Sequence, residues 1–469
     1  MSLSSLGEEV EGENPEKSSL ERGGGGARES AMRTLFLVIL CCGSVEVSVM
    51  GEELISRQQA YQVLKPAMSS SEGARDKPQG LDGRVMTGYQ GWFRAEGDGS
   101  GLGFSHYGKG QKFEPGSCSI DLWPDLTEFD ADERFPTPFR HADGRVAEVF
   151  SSLHPKTVNR HFTWMARYEI DGAFVQRFAT HAKLRRDQRR LKYENVKLML
   201  CRDAAMAQDR SWALMYDLSG LSDEDFIQVN EDWKQLRRRM QLGTDPGDSS
   251  YLHLRGKPLV AVWGVGFRGE DRKYSLERTE QFLRLLTQNP EWGGMSLMLG
   301  VPYYWLEQKG DATDDERLHE VLQLADVISP WSVGRYRSVE EAKDKALLFD
   351  RQRADREWCE RRQIHYLPVL FPGFRWMNLY GAEEAGSAIP RIGGRFLWQQ
   401  FQVTASAGNR SAYLAMFDEM DEGTALFKCT NDPPIGASTF GTYEGLPTDH
   451  YLWLCQEGGR LLRGEVPQR

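Results

Sequence analysis

Eight short apolar runs, separated by stretches of helical periodicity, constrain the fold of this chain more than any other feature. Each run is bounded by turn residues, and near-continuous apolar runs of this length are typical of parallel strands buried on both faces. Because parallel strands need crossover helices, eight strand–helix units predict an α/β fold with a single (β/α)₈ barrel. The runs lie at residues 84–89, 172–178, 212–217, 258–263, 295–301, 327–331, 366–371 and 412–417.

An open, doubly wound sheet is the structural alternative, and the first strand–helix turn argues against it. That fold usually carries the pattern G-x-G-x-x-G there, whereas this chain has Tyr-Gln-Gly-Trp-Phe at 89–93. Segment 94–153, between the first strand and its helix, is predicted to form a long βα loop. Helices are predicted at 155–169, 222–240, 275–288, 314–324, 338–363, 390–408 and 448–462, several of them opened by Ser and acidic residues suited to helix N-termini.

The first 50 residues differ in composition from the rest. Residues 1–31 are rich in Glu, Ser and Gly, and we expect this extension to be disordered, an artefact of the assigned start if translation begins at Met32. Residues 32–50 resemble a secretory signal peptide and are too short for a transmembrane span. Cys41 would also fit a lipoprotein anchor, although the residues before it are a poor match. We therefore expect a secreted or periplasmic protein in which 82–469 form one domain without a transmembrane span.

Charge and cysteine spacing exclude two classes of function. Lys and Arg number 58 against 68 Asp and Glu, a net charge of −10, which does not favour binding to nucleic acid. The five cysteines beyond the predicted signal peptide lack CxxC spacing, so no zinc framework is visible. Cys429 and Cys455 could pair, and the sequence leaves this open. We expect a monomer without metal or cofactor.

Two glutamates that follow the eighth run, Glu419 and Glu422, are the candidate catalytic residues. Cleavage of a glycosidic bond needs a proton donor for the leaving oxygen and a second carboxylate that acts on the opposite face. A (β/α)₈ barrel places its active site at the carboxyl ends of its strands, where a turn through Met420 and Asp421 could aim both glutamates at the barrel axis. The alternatives for this loop are an exposed acidic surface or a calcium site, although the alternating Asp spacing of a calcium loop is absent.

Aromatic, amide and charged side chains follow the other runs, and together they predict a cleft that binds carbohydrate. Aromatic rings stack on the C–H faces of sugars, while polar side chains bond the hydroxyl groups. Any one of these residues could belong to the core instead, but the whole set favours a cleft. The candidate substrate-binding residues are Tyr89, Trp92, Asp121, Trp123, Gln176, Arg177, Asp217, Trp263, Tyr303, Tyr304, Trp331, Trp376 and Asp418.

These motifs resemble those of a known family. Residues 416–424 (MFDEMDEGT) resemble the asparagine–glutamate–tryptophan–histidine–glutamate–glycine–threonine signature of family 99 glycoside hydrolases, the endo-α-mannosidases. The motifs at 89–93, 302–305 and 370–374 are similar to other strand-end motifs of that family. A fuller match, which includes 121–125 and 171–178, is to bacterial proteins described as glycoside hydrolase family 71/99-like, and it covers roughly 82–463.

The resemblance implies a retaining glycosidase with a (β/α)₈ fold that acts on α-linked mannose without a metal. It implies that Glu419 acts as base on the substrate's own 2-hydroxyl, which attacks the anomeric carbon to give an epoxide-like intermediate. Glu422 would protonate the leaving oxygen and then activate water.

The signature is changed at three positions, where Asp418, Met420 and Asp421 replace the family's Asn, Trp and His. Two added carboxylates would raise the pKa values of the neighbouring glutamates by like-charge repulsion, unless a cation such as Arg177 or Arg375 offsets them. The glutamates are intact, but the changes leave mannose specificity open. The alternatives are a carbohydrate-binding barrel without catalysis and a hydrolase of α-glucan or pentose-containing glycans.

Overall fold

The computed structural model describes residues 54–67, 77–110, 112–381 and 388–466, so the predictions for 1–31 and 32–50 lie outside the described residues. Its centre is a ring of parallel strands in which each strand pairs with its neighbours in sequence and β1 pairs with β8. The predicted (β/α)₈ barrel is therefore confirmed. Its strands are β1 Val85–Tyr89, β2 Gly172–Phe178, β3 Ser211–Asp217, β4 Lys257–Trp263, β5 Ser296–Val301, β6 Val327–Pro330, β7 His365–Tyr366 with Val369–Leu370, and β8 Ala412–Leu414.

The seventh strand is interrupted. Its first part, His365–Tyr366, pairs with β6, and its second part, Val369–Leu370, pairs with β8. Pro368 lies between the two parts and has no N–H to donate to a neighbouring strand. The ring is closed through this segment, with two paired residues on each side.

Helices surround the ring, as parallel connections require. They are α1 Arg57–Gln62, α2 Pro155–Arg167, α3 Arg189–Ala207, α4 Phe226–Gln235, α5 Leu276–Gln288, α6 Leu318–Leu322, α7 Val339–Lys343, α8 Asp350–Glu360, α9 Met377–Tyr380, α10 Arg395–Ser406 and α11 His450–Arg463. The helix predicted over 338–363 is divided at Asp344. The backbone of Asp344 is extended, and its side chain accepts hydrogen bonds from the amides of Ala346 and Leu347, which starts a new turn.

Side chains alternate between two separate hydrophobic clusters along the strands. One cluster fills the barrel and includes Met86, Phe174, Met215, Ala261, Met298 and Tyr413. The other lies between strands and helices and includes Val85, Tyr89, Val175, Leu214, Val260 and Leu299. Because successive side chains of a strand point to opposite faces and both faces are buried here, the strands read as nearly continuous apolar runs.

The long loop after β1 carries its own small core. It contains an antiparallel hairpin, Phe135–Arg140 with Val146–Val149. Trp123 packs against Phe113 and Phe139, and its indole N–H donates to the Glu148 carbonyl at 3.0 Å. The structure thus corrects the expectation that Trp123 lines the cleft, because its ring is buried in the core of this loop.

All five cysteines in the described ranges are buried free thiols, so Cys429 and Cys455 are not bridged. Within those ranges no helix is both long and apolar enough to cross a bilayer. Nor does any group of three or more His, Cys, Asp and Glu side chains there form a potential metal site.

Candidate active site

Residues 418–422, here called the acidic loop, lie just beyond the end of β8. All five side chains are buried, although four of them are acids. The chain folds back after them, because the amides of Thr424 and Ala425 donate to the Glu419 carbonyl at 3.1 and 2.9 Å. The fold therefore brings Glu419 and Glu422 to the carboxyl end of the barrel, where active sites of this fold lie.

Glu419 is 3% exposed and accepts two hydrogen bonds. Gln90 Nε2 lies 2.7 Å from Glu419 Oε1, and Thr424 Oγ1 lies 2.6 Å from Glu419 Oε2. Burial raises the pKa of Glu419 above its ordinary value and the charge of Asp421 raises it further, while the two hydrogen bonds lower it. Hydrogen bonds to a carboxylate favour its ionised form.

Glu422 is equally buried, at 6% exposure, but no described residue donates a hydrogen bond to its carboxyl group. Burial raises its pKa well above the ordinary value, and the charges of Glu419, Asp421 and Asp217 raise it further. The pair is therefore unequal. Two hydrogen bonds favour the ionised form of Glu419, and no described residue provides such a bond to Glu422.

Asp418 joins the acidic loop to the end of β1. Its two carboxylate oxygens accept the backbone amides of Gln90 at 2.8 Å and Gly91 at 2.7 Å. Burial raises its pKa to about 6, although these bonds oppose the shift. Because each oxygen accepts a backbone amide, Asp418 holds the acidic loop against the end of β1, and its predicted contact with substrate stays a prediction.

Asp421 faces a residue that the sequence reasoning missed. Its Oδ2 lies 3.4 Å from His106 Nδ1, while its Oδ1 is buried without a hydrogen-bond partner. His106 stacks on Trp92 with 4.1 Å between ring centroids, and Trp92 stacks on Phe178. Burial raises the pKa of Asp421 to about 8. His106 thus connects Trp92 to the acidic loop.

Gln176 and Asp217 form a second polar group at the ends of β2 and β3. Gln176 Nε2 donates to Asp217 Oδ2 at 2.8 Å, and Ser219 donates its amide and hydroxyl to Asp217 Oδ1. Burial raises the pKa of Asp217, and the Arg272 guanidinium lowers it. Gln176 lies next to Gln90, which donates to Glu419, because Tyr89 pairs with Val175 in the register of β1 and β2, so this group and the acidic loop belong to one site.

Several predicted aromatic residues lie around these acids. Trp263 contacts Trp331 edge to face at 5.4 Å between ring centroids, and Trp331 is 6.4 Å from Tyr413. Tyr413 is buried in the barrel, and the charge of Glu419 raises its pKa. Beyond β7, the ring centroids of Trp376 and Tyr380 are 4.5 Å apart.

Two predicted cleft residues point away from the barrel. The Tyr89 hydroxyl lies 3.0 Å from His161 Nδ1, between β1 and α2. Arg177 donates from Nε to Asp232 Oδ2 at 2.8 Å in a fully buried ion pair. Each directly adjoins an inward-facing residue, Gln90 or Gln176, and neighbours on a strand face opposite ways. The expectation that Tyr89 and Arg177 bind substrate is therefore corrected.

The two tyrosines after β5 make contacts with residues before and within α8. Tyr303 donates its hydroxyl to the Leu347 carbonyl. Tyr304 is half-buried, with the Arg351 guanidinium 4.6 Å from its ring centroid. Asp311 also accepts the backbone amides of both tyrosines, and we leave both residues out of the proposed substrate-binding set.

Asp121 is hydrogen-bonded to the acidic loop through its backbone. Its amide donates to the Met420 carbonyl at 2.9 Å, and its carboxylate accepts Arg375 Nε at 3.2 Å. Burial raises the pKa of Asp121 to about 7, and Arg375 lowers it. Arg375 is thus engaged elsewhere, as is Arg177. Across the described ranges, no Lys or Arg side chain forms an ion pair with Asp418, Glu419, Asp421 or Glu422.

No model of a known protein family matches the chain, and no curated protein matches it significantly. Among solved structures it is similar to the GH99 endo-alpha-mannosidase from Bacteroides thetaiotaomicron, alone and in complex with BIS-TRIS-Propane. Both comparisons give a TM-score of 0.57 and 14% identity over 82% of this chain, and cover 99% and 98% of the other chain respectively. At this identity the likeness concerns the fold, which is the one that the sequence resemblance implied.

Proposed function

We propose that this protein is a glycoside hydrolase that cleaves a poly- or oligosaccharide, with Glu419 as base and Glu422 as acid. The observation that carries the proposal is the unequal hydrogen bonding of two buried, interacting glutamates at the carboxyl end of a (β/α)₈ barrel. Two titratable groups whose surroundings push their proton affinities apart are suited to act as a base and an acid.

The family resemblance supports a specific sequence of steps on an α-mannoside. Ionised Glu419 takes the proton of the substrate's 2-hydroxyl, and that oxygen attacks the anomeric carbon. The glycosidic oxygen departs with the proton of Glu422, leaving a 1,2-anhydro sugar. Glu422 then takes a proton from water as the water opens the three-membered ring at the anomeric carbon, and Glu419 returns its proton to the 2-oxygen. Two displacements at one carbon retain the anomeric configuration.

The surroundings of the glutamates support a sugar substrate. Trp263, Trp331 and Trp376 offer aromatic faces near the acidic loop, and Gln176 and Asp217 offer polar groups. Aromatic surface combined with a few oriented polar groups suits sugar rings, which have apolar faces and polar edges. We therefore retain these five residues, with Trp92, as the proposed substrate-binding set.

The test is a panel of α- and β-linked glycans with the product anomer followed by NMR. We expect hydrolysis of at least one α-mannoside with retention, and Glu419→Gln and Glu422→Gln each to lower kcat by about 10²- to 10⁴-fold. Glu316→Gln is the matched control, since Glu316 is exposed on the loop before α6. Circular dichroism would verify that the variants fold. Loss of either active-site glutamate without a kinetic effect would refute the assignment.

Two results would redirect the proposal. Binding on a glycan array without hydrolysis of any linkage would indicate a carbohydrate-binding barrel that lacks catalysis. Hydrolysis confined to α-glucans or pentose polymers would keep the reaction and change the sugar, which loop side chains determine.

We also propose export from the cytoplasm, which rests on residues 32–50 of the sequence alone. N-terminal sequencing of exported protein should begin near residues 44–50. Recovery of mature protein that retains residues 1–31 would contradict both the signal peptide and the start at Met32.

A further inference from the structure

A buried lysine lies outside the barrel at the level of the candidate active site. Lys197 is on α3, and its side chain is 1% exposed. Its ammonium donates to the carbonyl oxygens of Gln90 at 2.9 Å and Gln176 at 2.8 Å, and to Glu194 Oε2 at 2.5 Å. An ammonium has three N–H donors, and these three bonds use all of them.

The two carbonyl groups belong to the two glutamines that bind carboxylates inside the barrel. Gln90 donates its side-chain amide to Glu419, and Gln176 donates its amide to Asp217. The glutamines are neighbours across β1 and β2, because Tyr89 pairs with Val175 in the register of the two strands. One ammonium therefore fixes the backbone of both residues, while their side chains reach the acids on the other side of the strands.

We propose that Lys197 is a positioning residue for the proposed reaction: from outside the barrel it orients Gln90 toward Glu419 and Gln176 toward Asp217. The inference rests on the proposed function only for its effect on turnover. The orientation itself can be measured without a substrate.

The packing around the lysine stem agrees with this role. Gly91 has φ +59°, and a Cβ there would lie 2.6 Å from Lys197 Cδ. The close approach of the first βα turn to the lysine thus requires glycine. Gly91 also donates its amide to Asp418, so the turn that packs on Lys197 is the turn that binds the acidic loop.

A side chain that only filled space at this position would not need a charge. Burying an ammonium is costly unless it is fully paired, and a methionine side chain would fill much of the same space. The charged groups that face Lys197 are Glu194, Arg94 and Asp418. Glu194 pairs with both the ammonium and Arg94, and the remaining two N–H groups of Lys197 bond the glutamine carbonyls.

Removal of the ammonium should act through Gln90. With its carbonyl released, the Gln90 amide would be less well oriented, and one of the two hydrogen bonds that favour ionised Glu419 would weaken. The groups around Glu419 that remain are Thr424, Asp418, Asp421, Glu422 and Tyr413. We expect the pKa of Glu419 to rise, kcat to fall by about tenfold, and KM to change little.

The experiment compares Lys197→Met, the double variant Lys197→Met with Glu194→Gln, and Lys197→Arg. In Lys197→Met the Glu194 carboxylate keeps Arg94 as a partner, and the double variant tests whether the negative charge of Glu194 contributes to any effect. Lys428→Met is the matched control, because Lys428 is another buried lysine, and its ammonium pairs with Glu128 rather than with either glutamine. The readout is the ¹³C titration of the Glu419 carboxyl group, assigned by its absence in Glu419→Gln.

The decisive comparison adds Gln90→Leu to each background. If Lys197 acts through Gln90, its removal raises the Glu419 pKa in the wild type and has no further effect in Gln90→Leu. A folded double variant with an unchanged Glu419 titration would overturn the inference, as would an equal shift in Lys428→Met. Failure to hydrolyse any glycan would count against the proposed function and leave the NMR result to decide the role of Lys197.

Discussion

Thr424 and Glu419 are five residues apart in one loop, and the threonine hydroxyl donates to the glutamate with 2.6 Å between Oγ1 and Oε2. Thr424→Val keeps the shape of the side chain and removes this bond. Because the bond favours the ionised glutamate, we expect the pKa of Glu419 to rise and kcat at neutral pH to fall by about tenfold. Thr424→Ser should retain most activity, and equal kinetics for the Val and Ser variants would contradict this role.

The different surroundings of Glu419 and Glu422 predict a bell-shaped dependence of kcat on pH. Activity needs Glu419 ionised and Glu422 protonated, so it is lost as the pH falls through the Glu419 pKa and lost again as it rises through the Glu422 pKa. Both pKa values are raised, so the acidic limb should lie above about 4.3, the ordinary glutamate value. An optimum below pH 5 on a neutral substrate would be inconsistent with this arrangement.

The same shifts predict how stability depends on pH. Glu419, Asp421 and Glu422 bind protons more tightly in the folded protein than in the unfolded chain. The unfolded state therefore holds fewer protons above its own carboxyl pKa values, and the free energy of unfolding falls as the pH rises from about 5 to 8. Urea denaturation at several pH values measures this slope. Glu422→Gln should flatten it, and an unchanged slope in that variant would count against a raised Glu422 pKa.

Asp418→Asn tests the junction between β1 and the acidic loop. A carboxylate accepts both backbone amides, from Gln90 and Gly91, whereas an asparagine has one acceptor oxygen and would turn an NH₂ group toward the second amide. We expect a loss of about 1–3 kcal/mol in the free energy of unfolding, the cost of one unsatisfied buried donor. Full stability in the variant would show that the loop accommodates the residue found in the resembling family.

Arg177→Met separates a structural role from a catalytic one. Asp232 would remain buried with only the hydroxyl groups of Tyr61 and Tyr216 and no cation, which should cost about 3–5 kcal/mol in the free energy of unfolding. Below its melting temperature the folded variant should keep a normal KM. A large rise in KM without a loss of stability would return Arg177 to the substrate-binding set.

The strands were predictable because each is buried on both faces and is therefore a distinct apolar run. The same property concealed which side chains face inward, since hydropathy cannot assign a direction to a strand that is apolar on both sides. Tyr89 and Gln90 are adjacent, and only one can face the barrel. The structure shows that Gly88 faces inward, because a Cβ there would lie 2.2 Å from the Tyr413 hydroxyl inside the barrel. Gln90, two residues further along the chain, faces the same way.

Other contributors to the site carried no signal in the sequence. His106 comes from the first third of the long first loop, and Lys197 lies in α3, more than one hundred residues after Gln90. Neither lies at a strand end, and only tertiary packing brings them to the acids. By contrast, Thr424 lies within the motif at residues 416–424, and its side chain could have been proposed as a partner of Glu419.

The divided seventh strand has a consequence for how large molecules enter the barrel mouth. On each side of Pro368 only two residues pair with the neighbouring strand, fewer than between any other two strands of the ring. Segments with few hydrogen bonds to neighbouring strands are the first to separate in local fluctuations. The chain just beyond it carries Phe374 and Trp376. Separation there would widen the entrance next to β7, while Asp418 keeps the acidic loop bonded to the end of β1, on the other side of β8.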